Sequence, residues 1–336
     1  MRYILIEKIH YIITHQTIPY ANLALEEYLL KNVSDRECIL YLWQNEKTVV
    51  IGKNQNPWKE CRIAELEKDG GRLVRRLSGG GAVFHDLGNL NFTFLMGKEN
   101  YDLDKQLEVI LRAVNQLGIP AEKSGRNDIT VEGRKFSGNA FYSDGSHNYH
   151  HGTILVHVDM KQLSHYLNVS RDKLISKGVE SVKSRVVNLQ EYLPDLSIDR
   201  MRKELIRAFG DVYGLKPEPL NQARIDTLEL RKLENKFSSW DWIYGRKIAF
   251  SDVFERRFPW GNIELQLLVE AGLIKECMVY SDSLTIYLFE RIPSFLTGCI
   301  YTSKAMVDAI KKINVANETE NNILEDLIQM IEQEGI

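Results

Sequence analysis

Cysteine is scarce in this chain. Cys38, Cys61, Cys277 and Cys299 lie far apart in 336 residues and form no CxxC pair. That spacing gives no sign of a disulfide framework, and reduced, mostly buried thiols in a cytoplasmic protein are the preferred reading. No His or Cys pair has zinc-ligand spacing with partners to complete a site. Long apolar runs are also missing: none spans a bilayer, and the apolar part of Met1-Arg2-Tyr3-Ile4-Leu5-Ile6-Glu7-Lys8 is too short for a secretory signal. Neither sign of charge dominates. Lys and Arg number 43, Asp and Glu 46, for a net charge of −3, and the two signs are interspersed. General nucleic-acid binding and a polybasic membrane patch are therefore not expected. Repeats and low-complexity segments are absent, and so are a Walker loop and a G-x-G-x-x-G opening a helix.

What is present suits a globular enzyme. A hydrophobic content of 44% over this length supports a substantial core and two domains. Apolar and turn periodicities give a mixed layout. A helix is expected over Ala21–Leu30, just after Pro19, and strands over Cys38–Trp43 and Thr48–Ile51. Leu107, Ile110, Leu111, Val114 and Leu117 form a helical stripe with Asp104 as cap. A strand follows at Thr153–Val158, and Met201, Leu205, Ala208, Phe209 and Val212 mark another helix. The charged stretch from Gly214 to Ser239, with Pro217 and Pro219, reads as a connection between domains. Ile263–Val269 and Cys277–Tyr280 read as strands around the turn Ala271-Gly272, and Ile323, Leu324, Leu327, Ile328 and Ile331 as a terminal amphipathic helix.

Chemistry concentrates in two stretches. The first is Arg75-Arg76-Leu77-Ser78-Gly79-Gly80-Gly81-Ala82-Val83-Phe84-His85-Asp86. Consecutive glycines let a ligand lie against backbone N–H groups, and adjoining arginines suit phosphate or carboxylate. A glycine cluster alone is as compatible with a turn or bulge. Asp86-Leu87-Gly88-Asn89 has turn chemistry and Leu90, Phe92 and Phe94 alternate with polar residues, so a hairpin is expected, and the glycine loop joins strands. The second stretch runs from Ser124 to Ala140. It reads as strand, tight turn at Glu132-Gly133, and strand, with Lys135 just past the turn and Asp128 on the paired strand. A surface hairpin with solvated charges is the plain alternative.

Together RRLSGGGAVFHDLGNLNFTF and SGRNDITVEGRKFSGNA resemble the bacterial lipoate–protein ligase A family. The likeness extends to Thr48–Cys61, His150–Leu155, Lys177–Val186, Ser238–Trp242 and Phe258–Gly261, nearly the whole chain. It implies an α+β fold of mixed, mainly antiparallel sheets with helices. Residues 1–244 would form a lipoate- and ATP-binding catalytic domain, and 245–336 a small α+β accessory domain. The implied reaction has two steps: lipoate and ATP give lipoyl-AMP and pyrophosphate, and the lipoyl group then passes to a lysine of a lipoyl domain with release of AMP. Acceptors would be E2 subunits of 2-oxoacid dehydrogenases and the glycine cleavage H protein, in lipoate salvage by a cytoplasmic monomer.

By matched position, the resemblance implies ATP contacts from Arg76, Gly81, Ala82, Val83, Phe84 and Lys135. It implies lipoate contacts from Lys135, Ser78, Gly79, Gly80, His85, His151 and Gly152. An adenylate-covering loop would include Lys177, Gly178, Ser181, Val182 and Arg185, and Asp128 would be a ligand for Mg²⁺. A fixed cation at Lys135 would offset the charge that gathers when a carboxylate attacks the α-phosphate. Leu77 and Tyr142 depart from the family pattern, where a small polar residue and an arginine are frequent, which bears on acyl-chain preference. A biotin–protein ligase shares the Asn-Asp…Gly-Arg-Lys hairpin. An octanoyl transferase needs a nucleophilic cysteine, for which Cys38 and Cys61 are the only catalytic-domain candidates. A non-catalytic lipoyl-binding module would not need Lys135.

Overall fold

The computed structural model describes residues 5–124, 128–168, 186–245 and 249–336. The fold is α+β, in two compact units. One comprises Met1–Val50, Cys61–Arg75 and Val83–Ile243; the other comprises Ile51–Glu60, Arg76–Ala82 and Tyr244–Ile336.

The first unit holds β1 (Lys8–Ile13), β2 (Glu37–Trp43), β3 (Thr48–Ile51), β4 (Arg72–Arg75), β5 (Val83–His85), β6 (Asn89–Gly97), β7 (Ala121–Ser124), β8 (Asp128–Val131), β9 (Arg134–Ser143), β10 (His147–Leu155) and β11 (Pro217–Pro219). Eight of them form one sheet in the order β11-β1-β2-β6-β10-β9-β8-β7, parallel at β11-β1-β2 and antiparallel elsewhere. A second sheet has the order β4-β3-β5.

The two faces of the large sheet differ in chemistry, because side chains alternate along each strand. One face carries Leu40, Leu42, Phe92, Phe94, Met96 and Ile154. It packs against Leu107, Ile110 and Val114 of the helix Leu103–Asn115 and Met201, Leu205 and Phe209 of the helix Ile198–Tyr213. The opposite face carries Tyr41, Trp43, Asn91, Thr93, Tyr149 and His151, all buried. The helix Pro19–Asn32 covers it; its Glu26 carboxylate accepts from Thr93 and its Asn22 Oδ1 from Tyr41. Pro19 opens that helix, where a missing N–H costs nothing. Its outer side is buried too, by the helix Thr227–Ser238; Tyr28 Oη donates to Arg224 O at 2.9 Å and accepts from Asp226 N at 2.9 Å.

Three local expectations change. The cap of helix Leu103–Asn115 is Asp102, whose carboxylate accepts from Lys105 N; Asp104, two residues later, is already inside the first turn. The stretch from Gly214 to Ser239 is no connection. Its prolines form β11 at the sheet edge, where an absent N–H is harmless, and its remainder is a helix of the first unit. Asp86–Asn89 is a turn, with Asn89 N bonded to Asp86 O at 3.1 Å, but it closes no hairpin. β5 pairs with β3 and β6 with β2 and β10, so the turn hands the chain from one sheet to another.

In the second unit β12 (Asp252–Phe258), β13 (Gly261–Glu270) and β14 (Leu273–Ser281) form an antiparallel meander, with Ala271 and Gly272 at positive φ in the tight turn. Phe254, Ile263, Leu265, Leu267, Ile274 and Val279 meet Phe289, Ile292, Met306, Ile310, Leu327 and Ile331 of three helices. Two segments from earlier in the chain belong here. Ser281 N donates to Asn54 O at 2.8 Å, and Gly80 N to Ser283 O at 3.0 Å. No helix among the described residues is long and apolar enough to cross a membrane.

Candidate functional site

Lys135 owes its position to a β-bulge. In the β8–β9 ladder Asp128 faces Gly138 and Ile129 faces Ser137, but Thr130 faces Lys135, so β9 carries one extra residue at Phe136. Without it, Lys135 and Gly138 would point to opposite faces; with it they share one. Lys135 Nζ lies 2.6 Å from Asp128 Oδ1, both side chains about one-third exposed (36% and 38%) and so within reach of a ligand. Gly138 makes the room: a Cβ there would sit 2.8 Å from Lys135 Nζ. The backbone is held as well, since Lys135 O accepts from Val187 N at 2.9 Å.

Strand register places His151 and Thr153 on this same face. His151 Nδ1 lies 2.9 Å from Glu26 Oε1, which also accepts from Thr93 Oγ1 at 2.7 Å, and Thr93 Oγ1 accepts from Trp43 Nε1 at 3.1 Å. Glu26 is 1% exposed, yet these bonds satisfy it. His150 points to the other face. Its ring lies between Gln106 Oε1 at 3.0 Å and Asn139 Oδ1 at 2.8 Å, near Phe92 and Phe94. Burial, with the neighbouring His151 adding to it, lowers its pKa to about 3. Gly152 is required by packing: a Cβ would lie 2.5 Å from Gly138 O and 2.6 Å from Phe92 Cζ.

The glycine loop belongs to the second unit. Two of its three glycines are explained there, one by packing and one by backbone conformation. A Cβ on Gly79 would meet Ser283 O at 2.4 Å, and Gly80 has φ +91°; Gly52 supports it from beneath, where a Cβ would meet Gly80 O at 2.2 Å. Gly81 has nothing within 4 Å of a Cβ and no positive φ, so packing gives no reason for glycine there. The Arg76 guanidinium folds back onto the loop. Nε bonds to Ser78 Oγ at 3.0 Å, and Nη2 to Gly79 O at 2.6 Å and Gly81 O at 2.8 Å. In this state Arg76 shapes the loop with donors that the sequence assigned to an anion. In the first unit, Arg75 bonds to the Ile243 carbonyl at 2.6 Å and Trp242 Nε1 returns a bond to Arg75 O at 2.8 Å.

Ala82 is half-buried beside the open Gly81. Val83, Phe84 and His85 form β5, an edge strand bonded to β3 on one side, and the Phe84 ring packs on Tyr166 at 5.4 Å. Lys177, Gly178, Ser181, Val182 and Arg185 lie outside the described residues. Among the described residues no three His, Cys, Asp or Glu side chains gather into a metal-ligating group. Asp128 offers one carboxylate, which fits Mg²⁺ carried mainly by phosphate oxygens and water. Sequence reasoning passed over Glu26, Thr93, Asn91, Asn22 and Asn45. The available signal was Glu26-Glu27 inside an apolar helix and the polar members of β6, Asn89, Asn91 and Thr93, which are all buried.

Comparison with known proteins agrees with this architecture. Residues 18–210 match the lipoyl protein ligase A/B catalytic domain, and 247–331 the bacterial lipoate protein ligase C-terminus. The structure of P. falciparum LipL1 in complex with lipoate is 33% identical over 97% of this chain and 99% of its own, with a TM-score of 0.85. A lipoate-protein ligase A bound with ATP is 26% identical over 71% of this chain and 98% of its own, with a TM-score of 0.62. A bipartite archaeal ligase from Thermoplasma acidophilum, described with its E2 lipoyl domain, is 27% identical over 73% and 99%, with a TM-score of 0.63. The matched catalytic model spans more than half of the chain, and the chain belongs to the lipoyl protein ligase A/B family.

Proposed function

We propose that this protein is an ATP-dependent lipoate–protein ligase that salvages free lipoate in the cytoplasm. The observation that carries the reading is Lys135, aimed by the β9 bulge onto the polar face of the sheet beside Asp128. In the first step a lipoate carboxylate oxygen attacks the α-phosphorus of ATP, an O–P bond forms, and the bond to pyrophosphate breaks. Lys135 stabilises the added charge on the phosphoryl oxygens and orients the acyl oxygen. Asp128 would hold Mg²⁺ through one carboxylate, and the ion would supply positive charge for the pyrophosphate oxygens. Arg76, Gly81, Ala82, Val83 and Phe84 hold ATP. The outer edge of β5, opposite β3, suits adenine, and a lipoyl chain fits the roles given to Ser78, Gly79, Gly80, His85, His151 and Gly152. In the second step an acceptor lysine amine attacks the acyl carbon and AMP leaves; placing the amine against the mixed anhydride supplies much of the rate. Acceptors are lipoyl domains of E2 subunits and the glycine cleavage H protein. Residues 1–244 serve as the catalytic domain and 245–336 as the accessory domain.

The test is pyrophosphate release from ATP with lipoate, octanoate or biotin, in wild type and Lys135→Ala. Lipoate-dependent release that disappears in the variant supports the reading. No release with any acid, from folded protein, rejects it.

A further inference from the structure

The face beneath helix Pro19–Asn32 holds a second hydrogen-bond chain, which reaches His85 and has a fixed direction. Asn22, Asn45 and His85 are 0%, 0% and 3% exposed. Asn22 Nδ2 faces two backbone carbonyl oxygens, Gln44 O at 2.8 Å and Gln16 O at 3.4 Å. Carbonyls only accept, so this atom is the amide nitrogen, and Asn22 Oδ1 accepts from the Tyr41 hydroxyl at 2.9 Å and Thr14 Oγ1 at 3.2 Å. Burial raises the Tyr41 pKa and keeps that hydroxyl a donor. Asn22 Nδ2 also meets the Asn45 side chain at 3.0 Å. A donor requires an acceptor, so the Asn45 atom there is Oδ1, and its amide nitrogen is the atom 3.2 Å from His85 Nδ1. An amide NH₂ cannot accept. His85 Nδ1 must therefore offer its lone pair, which leaves the ring proton on Nε2.

We infer that Asn22 and Asn45 are positioning residues that hold His85 as its neutral Nε2–H tautomer, a hydrogen-bond donor for an oxygen of the acyl substrate. With Nδ1 capped by a donor and Nε2 already protonated, His85 has no site for the proton of an incoming amine, so it is not the base of the transfer step. Charging the ring would set Nδ1–H against the Asn45 amide hydrogens. The proton at Nε2 suits a carboxylate oxygen in the first step and the developing oxyanion in the second. The substrate part rests on the ligase reading; the tautomer does not.

The experiment is long-range ¹H–¹⁵N NMR of the full chain labelled in its 8 histidines, at pH 8, with His85→Gln to assign the His85 signals. The expected wild-type result is an unprotonated Nδ1 and a protonated Nε2. Asn45→Asp replaces the donor by an acceptor and should protonate Nδ1. If that variant does not fold, Asn45→Ala, which adds no charge, should release His85 into a tautomer mixture. A wild-type ring protonated at Nδ1, or nitrogen signals unchanged in the variants, overturns the inference. Asn45→Asp should also raise the KM for lipoate about tenfold, the loss of one hydrogen bond to a charged group, with the KM for ATP unchanged. Wild type with the Nε2–H tautomer but without lipoate-dependent turnover would reject the ligase reading and leave the positioning assignment standing.

Discussion

Lys135 reaches Asp128 because β9 carries one residue more than β8 opposite it. The pair is therefore a product of backbone register, and its access depends on Gly138, whose missing side chain leaves the path for the lysine stem. Gly138→Ala places a Cβ 2.8 Å from Lys135 Nζ and 2.9 Å from Cε. Those atoms are the far end of a flexible chain and can swing away, so the fold should hold, with a change under about 1 kcal/mol. The ammonium would be displaced by an ångström or more, and lipoate-dependent pyrophosphate release should fall on the order of 10²-fold. A folded variant with wild-type release would show that this lysine geometry is not used.

The glycine loop separates steric from functional glycines. Gly79→Ala drives a Cβ to 2.4 Å from Ser283 O and 2.9 Å from Leu284 Cα, both backbone atoms, and should cost about 1–3 kcal/mol of stability. Gly81→Ala meets nothing within 4 Å and should leave thermal unfolding unchanged. If ATP lies against that backbone, the same substitution should raise the KM for ATP about tenfold or more. Paired unfolding and kinetic measurements read both. Unchanged ATP kinetics in Gly81→Ala would remove it from the nucleotide contacts.

How much of this was legible follows from how local each signal is. Glu132-Gly133 and Ala271-Gly272 announced their turns through Gly133 and Gly272, because left-handed backbone favours glycine. The helix after Pro19 and the stripes at Leu107–Val114 and Met201–Phe209 followed from period alone. The bulge at Phe136 was hidden, since it exists only relative to the strand opposite. The polar face was hidden because the alternation of Asn91 and Thr93 with phenylalanines marks a strand but not what covers its polar side, which is helix Pro19–Asn32. Asp86–Asn89 misled for a related reason: turn chemistry specifies a reversal but not which sheet each arm joins.

His150 should govern part of the acid limb of stability. In the unfolded chain it takes up a proton near 6.5, but in the folded protein only at about 3. Folding therefore excludes a proton that the unfolded state binds. The stability is fully present above about pH 6.5 and is lost as pH falls towards 3, at about 1.4 kcal/mol per pH unit for one group. His150→Gln keeps hydrogen-bonding atoms near Gln106 and Asn139 without a titrating ring. Its stability should be lower at pH 8 and fall less steeply below pH 6.5 in denaturant titrations. Parallel acid limbs in the two proteins would place the proton uptake elsewhere.

The cysteines distinguish adenylate chemistry from thiol-based acyl transfer. Cys38 and Cys61, like Cys277, are buried, and burial pushes each thiol up to about 12. At pH 8 that leaves on the order of one thiolate in 10⁴, too little for a resting nucleophile. Cys38 also sits among Leu40, Phe94 and Met96 on the apolar face, away from the face that carries His151 and Lys135. Native protein should therefore react with a thiol reagent first at Cys299, the half-buried fourth cysteine, and at Cys38 only as fast as the fold opens. Cys61→Ala and Cys38→Ala should retain lipoate transfer to an acceptor domain, and the acylated enzyme should carry no hydroxylamine-sensitive thioester. A folded Cys38→Ala or Cys61→Ala variant that loses transfer, together with a thioester on the wild-type enzyme, would place the acyl group on sulfur and displace the adenylate route.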